Sequence, residues 1–302
     1  MEQYSVQKGD KLGIVDLGSN SFRLLLGTYD GTRWMNEPKQ LWTTQLGRRS
    51  PEGALTEEAM VRGVDALKEI RDVMDAYGAK IRIGLATSAI REAGNRQDFL
   101  GRAQGACPME YRVLSGDEEA TYGFIGATVY EDQNFHYATI DVGGGSTEIA
   151  LGHRDSVYMT KSYPAGAVRM QEMSSEGPQR VWEETSPMWE PLPIEGAFGE
   201  FIGIGGTATT LAAMDLQMES YDPKRIQGHR LDRGTIEAMI LQLRYMSREE
   251  RLQVKGLQPG RVDIIVPGAE IITSLMDTYQ IGSIVISEAD GLEGWQSQYG
   301  GK

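Results

Sequence analysis

Two short turns rich in glycine and polar side chains are the part of the sequence best suited to chemistry. Gly18-Ser19-Asn20-Ser21 and Gly143-Gly144-Gly145-Ser146-Thr147 each follow one apolar stretch and precede another. Residues without a bulky side chain let backbone N–H groups approach an anion, and the hydroxyl and amide groups add donors. For either copy alone, a β-hairpin turn without a ligand is the alternative. Two copies of the pattern favour a pair of phosphate-binding loops.

Acidic residues accompany both turns. Asp16 and Asp141 lie near the ends of the apolar stretches that precede the turns, and Glu148 follows the second turn. A buried carboxylate is costly unless it is paired or bound to a metal, and Mg²⁺ prefers oxygen ligands. Asp16 and Asp141 are therefore predicted to hold Mg²⁺ directly or through water. Glu148 could hold the metal or position water, and an exposed strand residue is the alternative reading.

Three further segments contain residues that suit phosphate chemistry. Thr87-Ser88-Ala89-Ile90-Arg91 ends on a guanidinium, which matches phosphate oxygens but also commonly forms surface ion pairs. Ser115-Gly116-Asp117-Glu118-Glu119-Ala120 is predicted to open a helix, where acidic side chains also simply favour the helix dipole. Gly205-Gly206-Thr207 opens another predicted helix, whose N-terminal N–H groups suit a phosphate.

The elements that must position these residues form an internal repeat. Setting Asp16 against Asp141, an offset of 125 residues, also aligns Gly18 with Gly143. Each copy consists of an apolar strand, a turn and a returning strand, and the remainder of the chain alternates strands and helices. An offset of this length exceeds a solenoid repeat and indicates a duplicated domain. The sequence predicts two α/β lobes whose glycine turns face each other across a cleft.

Several local signals fix individual elements. A helix is predicted to begin after Thr56 and to end at Gly78, and Ile81–Ala86 is predicted to be a strand. Ser247 and Glu250 form the pattern of a capping box. The segment 176–196 contains four prolines and is predicted to be an irregular or broken helical connection.

The composition narrows the function classes. The chain has 302 residues, enough for two domains, and a formal net charge of −13, which argues against binding to nucleic acid or membranes. Its one cysteine excludes an internal disulfide framework, and its three separated histidines do not favour a histidine metal site. No signal peptide or membrane span is evident, so a cytoplasmic location is expected.

The motifs, taken in order, resemble those of the exopolyphosphatase/guanosine pentaphosphate phosphohydrolase (Ppx/GppA) family. The resemblance rests on the segments that begin at Asp16, Thr87, Ser115 and Asp141, and extends to 203–207, 261–263 and 287–294. It implies the duplicated actin-like (ribonuclease H-like) α/β fold of the acetate and sugar kinase/actin superfamily. The expected lobes are residues 1–125 with about 288–302, and residues 126–287. Longer members carry a histidine/aspartate-rich C-terminal domain, so this chain resembles the short, two-domain form.

The resemblance also implies roles for individual residues. Glu119 would activate the attacking water, and Asp141 and Glu148 would manage a Mg²⁺ or Mn²⁺ ion. The residues implied to contact phosphate are Gly18, Ser19, Asn20, Ser21, Arg91, Gly143, Gly144, Gly145, Ser146 and Thr147.

The expected activity is metal-dependent release of orthophosphate from the end of inorganic polyphosphate. A guanosine pentaphosphate 5′-phosphohydrolase is the first alternative, because its chemistry is the same. An ATPase or kinase of the same superfamily and a non-catalytic sensor are more distant alternatives. The substrate is the expected partner, and a homodimer is left open.

Overall fold

The structure is a computed structural model that describes residues 5–48, 50, 53–129, 131–154, 156–177, 179–193 and 198–300. The chain divides into two compact units. One unit comprises Met1–Glu119 together with Leu292–Lys302, and the other comprises Ala120–Gly291. None of the described helices combines the length and the apolar character needed to cross a membrane.

The first unit is built on a six-stranded mixed sheet. Its strands are β1 (Lys11–Leu17), β2 (Ser21–Tyr29), β3 (Trp34–Asn36), β4 (Gln40–Thr43), β5 (Ile81–Ala86) and β6 (Glu110–Val113). The order is β3-β2-β1-β5-β6, with β4 also paired to β2. Strand β1 runs antiparallel to β2 and parallel to β5, and β5 runs parallel to β6. Strand β1 is apolar almost throughout because both of its faces are covered.

The helices of the first unit begin and end at recognisable signals. They are α1 (Glu57–Tyr77), α2 (Ser88–Arg91), α3 (Arg96–Ala106) and the start of α4 (Gly116–Thr128), which continues into the second unit. The Thr56 hydroxyl accepts the N–H of Ala59, and Gly78 ends α1 in the left-handed conformation at φ +80°. Both predicted ends of α1 are therefore confirmed.

The second unit repeats this sheet. Its strands are β7 (His136–Val142), β8 (Thr147–His153), β9 (Ser156–Tyr163), β10 (Phe198–Ile204), β11 (Arg230–Asp232) and β12 (Ser283–Ile286). The path β9-β8-β7-β10-β12 has the same order and the same strand directions as β3-β2-β1-β5-β6. The extra strand β11 pairs with β12 at the far edge. The predicted duplication of an α/β fold is thus confirmed, whereas the cleft between the lobes stays a prediction.

Helices cover the second sheet. They are α5 (Gln171–Glu176), α6 (Arg180–Thr185), α7 (Gly205–Asp215), α8 (Pro223–Ile226), α9 (Arg233–Arg244), α10 (Arg248–Arg251) and α11 (Ile265–Thr278), and α12 (Gly291–Gln296) begins at the last residue of the unit. Every residue of α11 from Ile265 to Met276 is buried, which explains why most of the side chains of this helix are apolar. The capping box at the start of α10 is present as predicted.

Strands β3, β4 and β11 and helices α2 and α8 were not predicted from the sequence. Each of these elements has only three or four residues, too few to show a hydrophobic period. The segment 176–196 contains the last residue of α5, the whole of the short helix α6 and a 3₁₀ turn at Ser186–Met188, which agrees with a broken helical connection. Residues 178 and 194–196 of that segment lie outside the described residues.

Candidate active site

Three motif segments of the first unit lie at one edge of its sheet. The turn 18–21 follows β1, the segment 87–91 follows β5, and the segment 115–119 follows β6. Because these strands are parallel neighbours, their carboxyl ends meet at the same edge, where open α/β sheets commonly bind ligands. In the second unit, β7, β10 and β12 likewise precede the turn 143–146, the start of α7 and the segment 287–290.

Arg91 and Glu119 form an ion pair at the edge of the first sheet. Nη1 of Arg91 donates both to the Glu119 carboxylate and, at 2.9 Å, to the carbonyl oxygen of Leu114. The side chains are only 21% and 14% exposed. The Thr87 hydroxyl also donates to the Leu17 carbonyl at 3.3 Å, which connects the segment after β5 to the end of β1. The guanidinium therefore fixes the direction of the carboxylate that was predicted to act as the base.

The neighbouring Glu118 has a different and structural task. Its carboxylate accepts the Ser115 backbone N–H at 2.8 Å, while the Ser115 hydroxyl accepts the Glu118 N–H at 3.2 Å. These reciprocal bonds form a capping box at the start of α4. The helix-terminus interpretation of the acidic motif thus applies to Glu118, whereas Glu119 is paired with Arg91.

The first glycine turn is held from one side by the chain segment 44–47. The N–H groups of Thr44 and Gln45 donate to the Asn20 carbonyl at 3.1 and 2.8 Å, and the Gly47 N–H donates to the Ser19 carbonyl at 2.7 Å. A Cβ at position 47 would lie 2.9 Å from the Cβ of Ser19. The segment 44–47 can therefore approach the turn this closely only because residue 47 is a glycine. The carbonyl groups of this turn therefore face the supporting segment.

The second glycine turn is held in the same way by the segment 165–169. Its carbonyl oxygens accept bonds as follows: Gly143 from Ala167 N at 2.9 Å, Gly144 from Val168 N at 2.8 Å and Arg169 N at 3.1 Å, and Gly145 from Arg169 Nε at 2.8 Å. A Cβ on Gly166 would lie 2.5 Å from backbone atoms of Gly144 and Gly145, so a side chain at this position would separate the support from the turn.

The supported carbonyls determine where the turn N–H groups point. In a trans peptide, the C=O and the N–H that follows it point in opposite directions, and none of the described peptide bonds is cis. The N–H groups of Gly144, Gly145 and Ser146 therefore point away from the segment 165–169. By the same geometry, the N–H groups of Asn20 and Ser21 point away from the segment 44–47. Successive N–H groups directed to one side can bind an anion.

The two repeated aspartates have different partners. Strand register places Asp16 opposite Arg23 and Asp141 opposite Glu148. Nε and Nη2 of Arg23 donate to one carboxylate oxygen of Asp16, at 3.0 and 2.7 Å. This guanidinium supplies a positive charge beside Asp16, so a metal ion is not needed to neutralise that carboxylate. The same 125-residue register aligns Arg23 with Glu148, so this difference between the two repeats is visible in the sequence.

The Asp141–Glu148 pair has the chemistry of a divalent cation site. Two carboxylates directly opposite on antiparallel strands repel each other, and Glu148 is only 5% exposed. A hydroxyl donor, Ser162, reaches Glu148 Oε1 at 2.7 Å. In the part of the chain that the structure describes, no group of three or more His, Cys, Asp or Glu residues could hold a metal ion. The pair would therefore share its ion with water or phosphate oxygens, as Mg²⁺ sites in proteins usually do.

The start of α7 packs against the Asp141 carboxylate. Gly205 has φ +75°, and a Cβ there would lie 2.2 Å from Oδ1 of Asp141. A Cβ on Gly206 would lie 1.6 Å from Nη2 of Arg261, so that guanidinium also lies against the first turn of the helix. The motif Gly205-Gly206-Thr207 thus allows one acidic and one basic side chain to approach the helix N-terminus.

A tyrosine that the sequence analysis missed lies near the same helix. The Tyr221 hydroxyl donates to the Glu288 carboxylate, which belongs to the segment after β12. Burial, followed by the nearby Glu288 charge, raises the pKa of Tyr221 above its usual range, so the hydroxyl remains a donor. No local pattern around Tyr221 indicates this contact, which depends on the packing of the loop that precedes α8.

The predicted site residues therefore form two groups, one in each unit. Asp16, the turn 18–21, Arg91 and Glu119 belong to the first unit, and the segment 141–148 belongs to the second. Within each group the structure brings the residues to the carboxyl edge of one sheet.

Comparisons with known proteins agree with this architecture. The family model described as the Ppx/GppA phosphatase family matches residues 42–295. The chain is 30% identical to exopolyphosphatase 2 of Mycobacterium tuberculosis, over 94% of this chain and 97% of that protein. It is 29% identical to a bifunctional 3-dehydroquinate synthase/phosphatase of Fusobacterium nucleatum, over 93% of this chain but only 45% of that longer protein. The crystal structure of an exopolyphosphatase-like protein superimposes with a TM-score of 0.84 at 27% identity, covering 94% of this chain and 97% of that one.

Proposed function

The chain belongs to the Ppx/GppA phosphatase family, and on that premise we propose that it is a metal-dependent exopolyphosphatase. In this proposal the enzyme hydrolyses the terminal phosphoanhydride bond of inorganic polyphosphate and releases orthophosphate. The relative exopolyphosphatase 2, which matches over nearly its full length, supports polyphosphate as the substrate class.

One observation carries the proposal. The turn 143–146 directs three successive N–H groups to one side, and the strands that flank it place Asp141 opposite Glu148. An anion-binding turn directly beside an acidic pair suits a substrate that is a phosphate–cation complex. A hairpin turn that binds no ligand would need neither feature.

The proposed roles follow from the contacts of each group. The turn N–H groups donate to the oxygens of the terminal phosphate, and Asp141 and Glu148 would hold Mg²⁺ or Mn²⁺. When bound, the ion supplies charge neutralisation for the phosphate oxygens. Glu119 accepts a proton from the attacking water. The water oxygen forms a bond to phosphorus while the bridging P–O bond breaks. The remaining polyphosphate leaves with the electrons of that bond. Most of the rate gain should come from positioning and electrostatics.

Arg91 is expected to orient the Glu119 carboxylate first and then to donate hydrogen bonds to the bound phosphate as well. One terminal nitrogen already holds the carboxylate and the Leu114 carbonyl. A planar guanidinium has five N–H donors in a fixed arrangement, so it can retain one partner while it donates to phosphate. This geometry keeps the base oriented until the anion binds.

A guanosine pentaphosphate 5′-phosphohydrolase is the second candidate. The reaction is the same at the terminal phosphate, and the same turn and carboxylates would serve it. Phosphate release should be compared for long polyphosphate, tripolyphosphate, guanosine pentaphosphate and ATP, each with Mg²⁺ or Mn²⁺. The highest kcat/KM on polyphosphate is expected. A preference for guanosine pentaphosphate selects the second candidate, turnover of ATP alone indicates an ATPase or kinase, and no turnover indicates a sensor.

The role of Glu119 has a matched control in its neighbour. Glu119→Gln removes the proton acceptor but keeps the size of the side chain, so kcat should fall by about 10²-fold or more. Glu118→Gln should leave turnover near normal, because glutamine also serves in a capping box. The assignment is wrong if turnover collapses in Glu118→Gln and survives in Glu119→Gln.

A further inference from the structure

Two of the three histidines meet at the open end of the hairpin formed by β7 and β8. His136 is the first residue of β7 and His153 is the last residue of β8. The register that pairs Tyr137 with Gly152 places the two histidines opposite each other one step further along the strands. Their ring centres are 4.0 Å apart. Because the two residues are 17 positions apart in the chain, their spacing in the sequence gave no sign of this pair.

The backbone pairing brings these two side chains close together. At the turn, the Gly143 N–H donates to the Ser146 carbonyl at 3.0 Å, and hydrogen-bonded and non-hydrogen-bonded pairs alternate along an antiparallel ladder. Counted from the turn, His136 and His153 form a non-hydrogen-bonded pair, in which opposite side chains lie closest. Two imidazoles in this arrangement can share one metal ion, with about 2.0–2.1 Å between each ligand nitrogen and the ion.

Tyr158 on β9 determines which nitrogen of His136 is available. Its hydroxyl lies 3.0 Å from Nδ1 of His136. When the Nδ1–H group donates to this oxygen, the lone pair of Nε2 remains for a ligand. Histidines that bind metals usually make such an outer hydrogen bond through the nitrogen that does not bind the metal. His136 therefore already has the outer partner of a metal ligand.

The ring of His153 is less restrained. Its Nδ1 is buried and has no hydrogen-bond partner in the part of the chain that the structure describes. Nε2 is therefore the nitrogen that can meet an ion from solvent. Among the described residues no hydrogen bond holds this ring, so it can turn toward His136 without breaking one. Both histidines are only half-buried, which leaves the pair open to solvent.

The ligand atoms select the class of ion. Neutral imidazole suits Zn²⁺ and Cu²⁺, whereas Mg²⁺ prefers oxygen ligands. At about 3.3 Å per residue, the six steps from His136 to Val142 put the pair about 20 Å from the turn 143–146. The histidine pair is thus distinct from the carboxylates Asp141 and Glu148 in both position and chemistry.

We propose that His136 and His153 form a binding site for a divalent transition-metal ion, Zn²⁺ or Cu²⁺. Nε2 of each ring binds the ion, Tyr158 orients the first ring, and water fills the remaining coordination positions. The bound ion links the start of β7 to the end of β8 and closes the open end of the hairpin. The site does not depend on the proposed hydrolytic function.

The test is calorimetric titration of the full chain with ZnCl₂ and with CuCl₂ in excess Mg²⁺, which keeps the carboxylate pair occupied by a hard ion. A single site should bind Cu²⁺ more tightly than Zn²⁺. His153→Ala should weaken binding at least about tenfold, because the second ligand no longer acts at a high effective concentration. Tyr158→Phe should weaken it about tenfold through loss of the outer hydrogen bond. His229→Ala is the matched control, since this histidine pairs with Asp215 outside the site.

Two further measurements separate metal binding from folding. The electron paramagnetic resonance spectrum of bound Cu²⁺ should show coupling to two imidazole nitrogens in the wild type and to one in His153→Ala. Zn²⁺ should raise the thermal unfolding midpoint of the wild type but not of His153→Ala, whose midpoint without metal reports whether it folds. The proposal is overturned if the wild type binds neither ion in excess Mg²⁺, if His153→Ala binds as tightly as the wild type, or if His229→Ala loses as much affinity. Coupling to fewer than two imidazole nitrogens in the wild type would also overturn it.

Discussion

Replacing Gly205 with alanine tests whether the start of α7 fixes the Asp141 carboxylate. Two costs follow from the geometry. At φ +75° a residue other than glycine is strained by roughly 1–2 kcal/mol. The new Cβ would also lie 2.2 Å from Oδ1 of Asp141, whereas ordinary contact begins at 3.4 Å, so one of them must move by about 1.2 Å. Overpacking of this kind costs about 1–3 kcal/mol, which makes the expected total about 2–5 kcal/mol.

The same displacement should affect activity more than it affects folding. If Asp141 and Glu148 hold the metal, moving one carboxylate by about 1 Å can lower kcat/KM by about 10²-fold. Denaturant unfolding measures the loss of stability, and phosphate release from polyphosphate across a Mg²⁺ titration measures the loss of function. A higher Mg²⁺ requirement would place the defect at the carboxylate pair.

Gly228→Ala is the matched control for Gly205→Ala. Gly228 has a similar φ of +78°, but a Cβ there would meet nothing within 4 Å, so only the backbone strain applies. In an Asp141→Ala background, Gly205→Ala should cost no more than the control, because the clash has been removed. The reasoning is refuted if Gly205→Ala and Gly228→Ala destabilise equally in the wild-type background and both retain full activity.

Three further predictions concern single side chains. Thr56→Ala should lower the free energy of unfolding by about 1 kcal/mol through loss of the α1 cap, and Thr56→Ser should restore it in denaturant unfolding. Burial raises the pKa of the Cys107 thiol, so Ellman's reagent should react slowly until denaturant is added, and rapid labelling of the native protein would contradict this. Because the thiol pKa is higher in the folded state, there is a pH range in which the folded protein keeps the thiol proton and the unfolded chain has lost it. The free energy of unfolding should fall as the pH rises through this range. Glu148→Gln should raise the Mg²⁺ concentration for half-maximal phosphate release, with Ser162→Ala as a milder change, and an unaltered titration would remove Glu148 from the metal site.

The sequence by itself determined the features that depend on local chemistry. Several local features could be predicted because each depends on residues only a few positions apart. They are the glycine turns, the N-cap at Thr56, the left-handed end of α1 at Gly78 and the capping box at the start of α10. The duplication was also readable, because two strand–turn–strand patterns 125 residues apart share their aspartate and glycine positions. The fold class followed from these elements and from the family resemblance.

Only the tertiary structure decided how the candidate site residues are partnered. The repeat made Asp16 and Asp141 equivalent, but strand register gives one a guanidinium and the other a carboxylate. The composition of the acidic motif did not separate Glu118 from Glu119, although the family resemblance implied a role for Glu119, and packing assigns the cap to the first and Arg91 to the second. The segments that support the two turns carry no motif.

These contacts join residues that are distant in the chain, and hydrophobic periodicity carries no information about which residues meet across strands and loops. The chemistry of a carboxylate depends on the charge and the donors placed beside it, and for Asp16, Glu119 and Asp141 that neighbour is set by the fold.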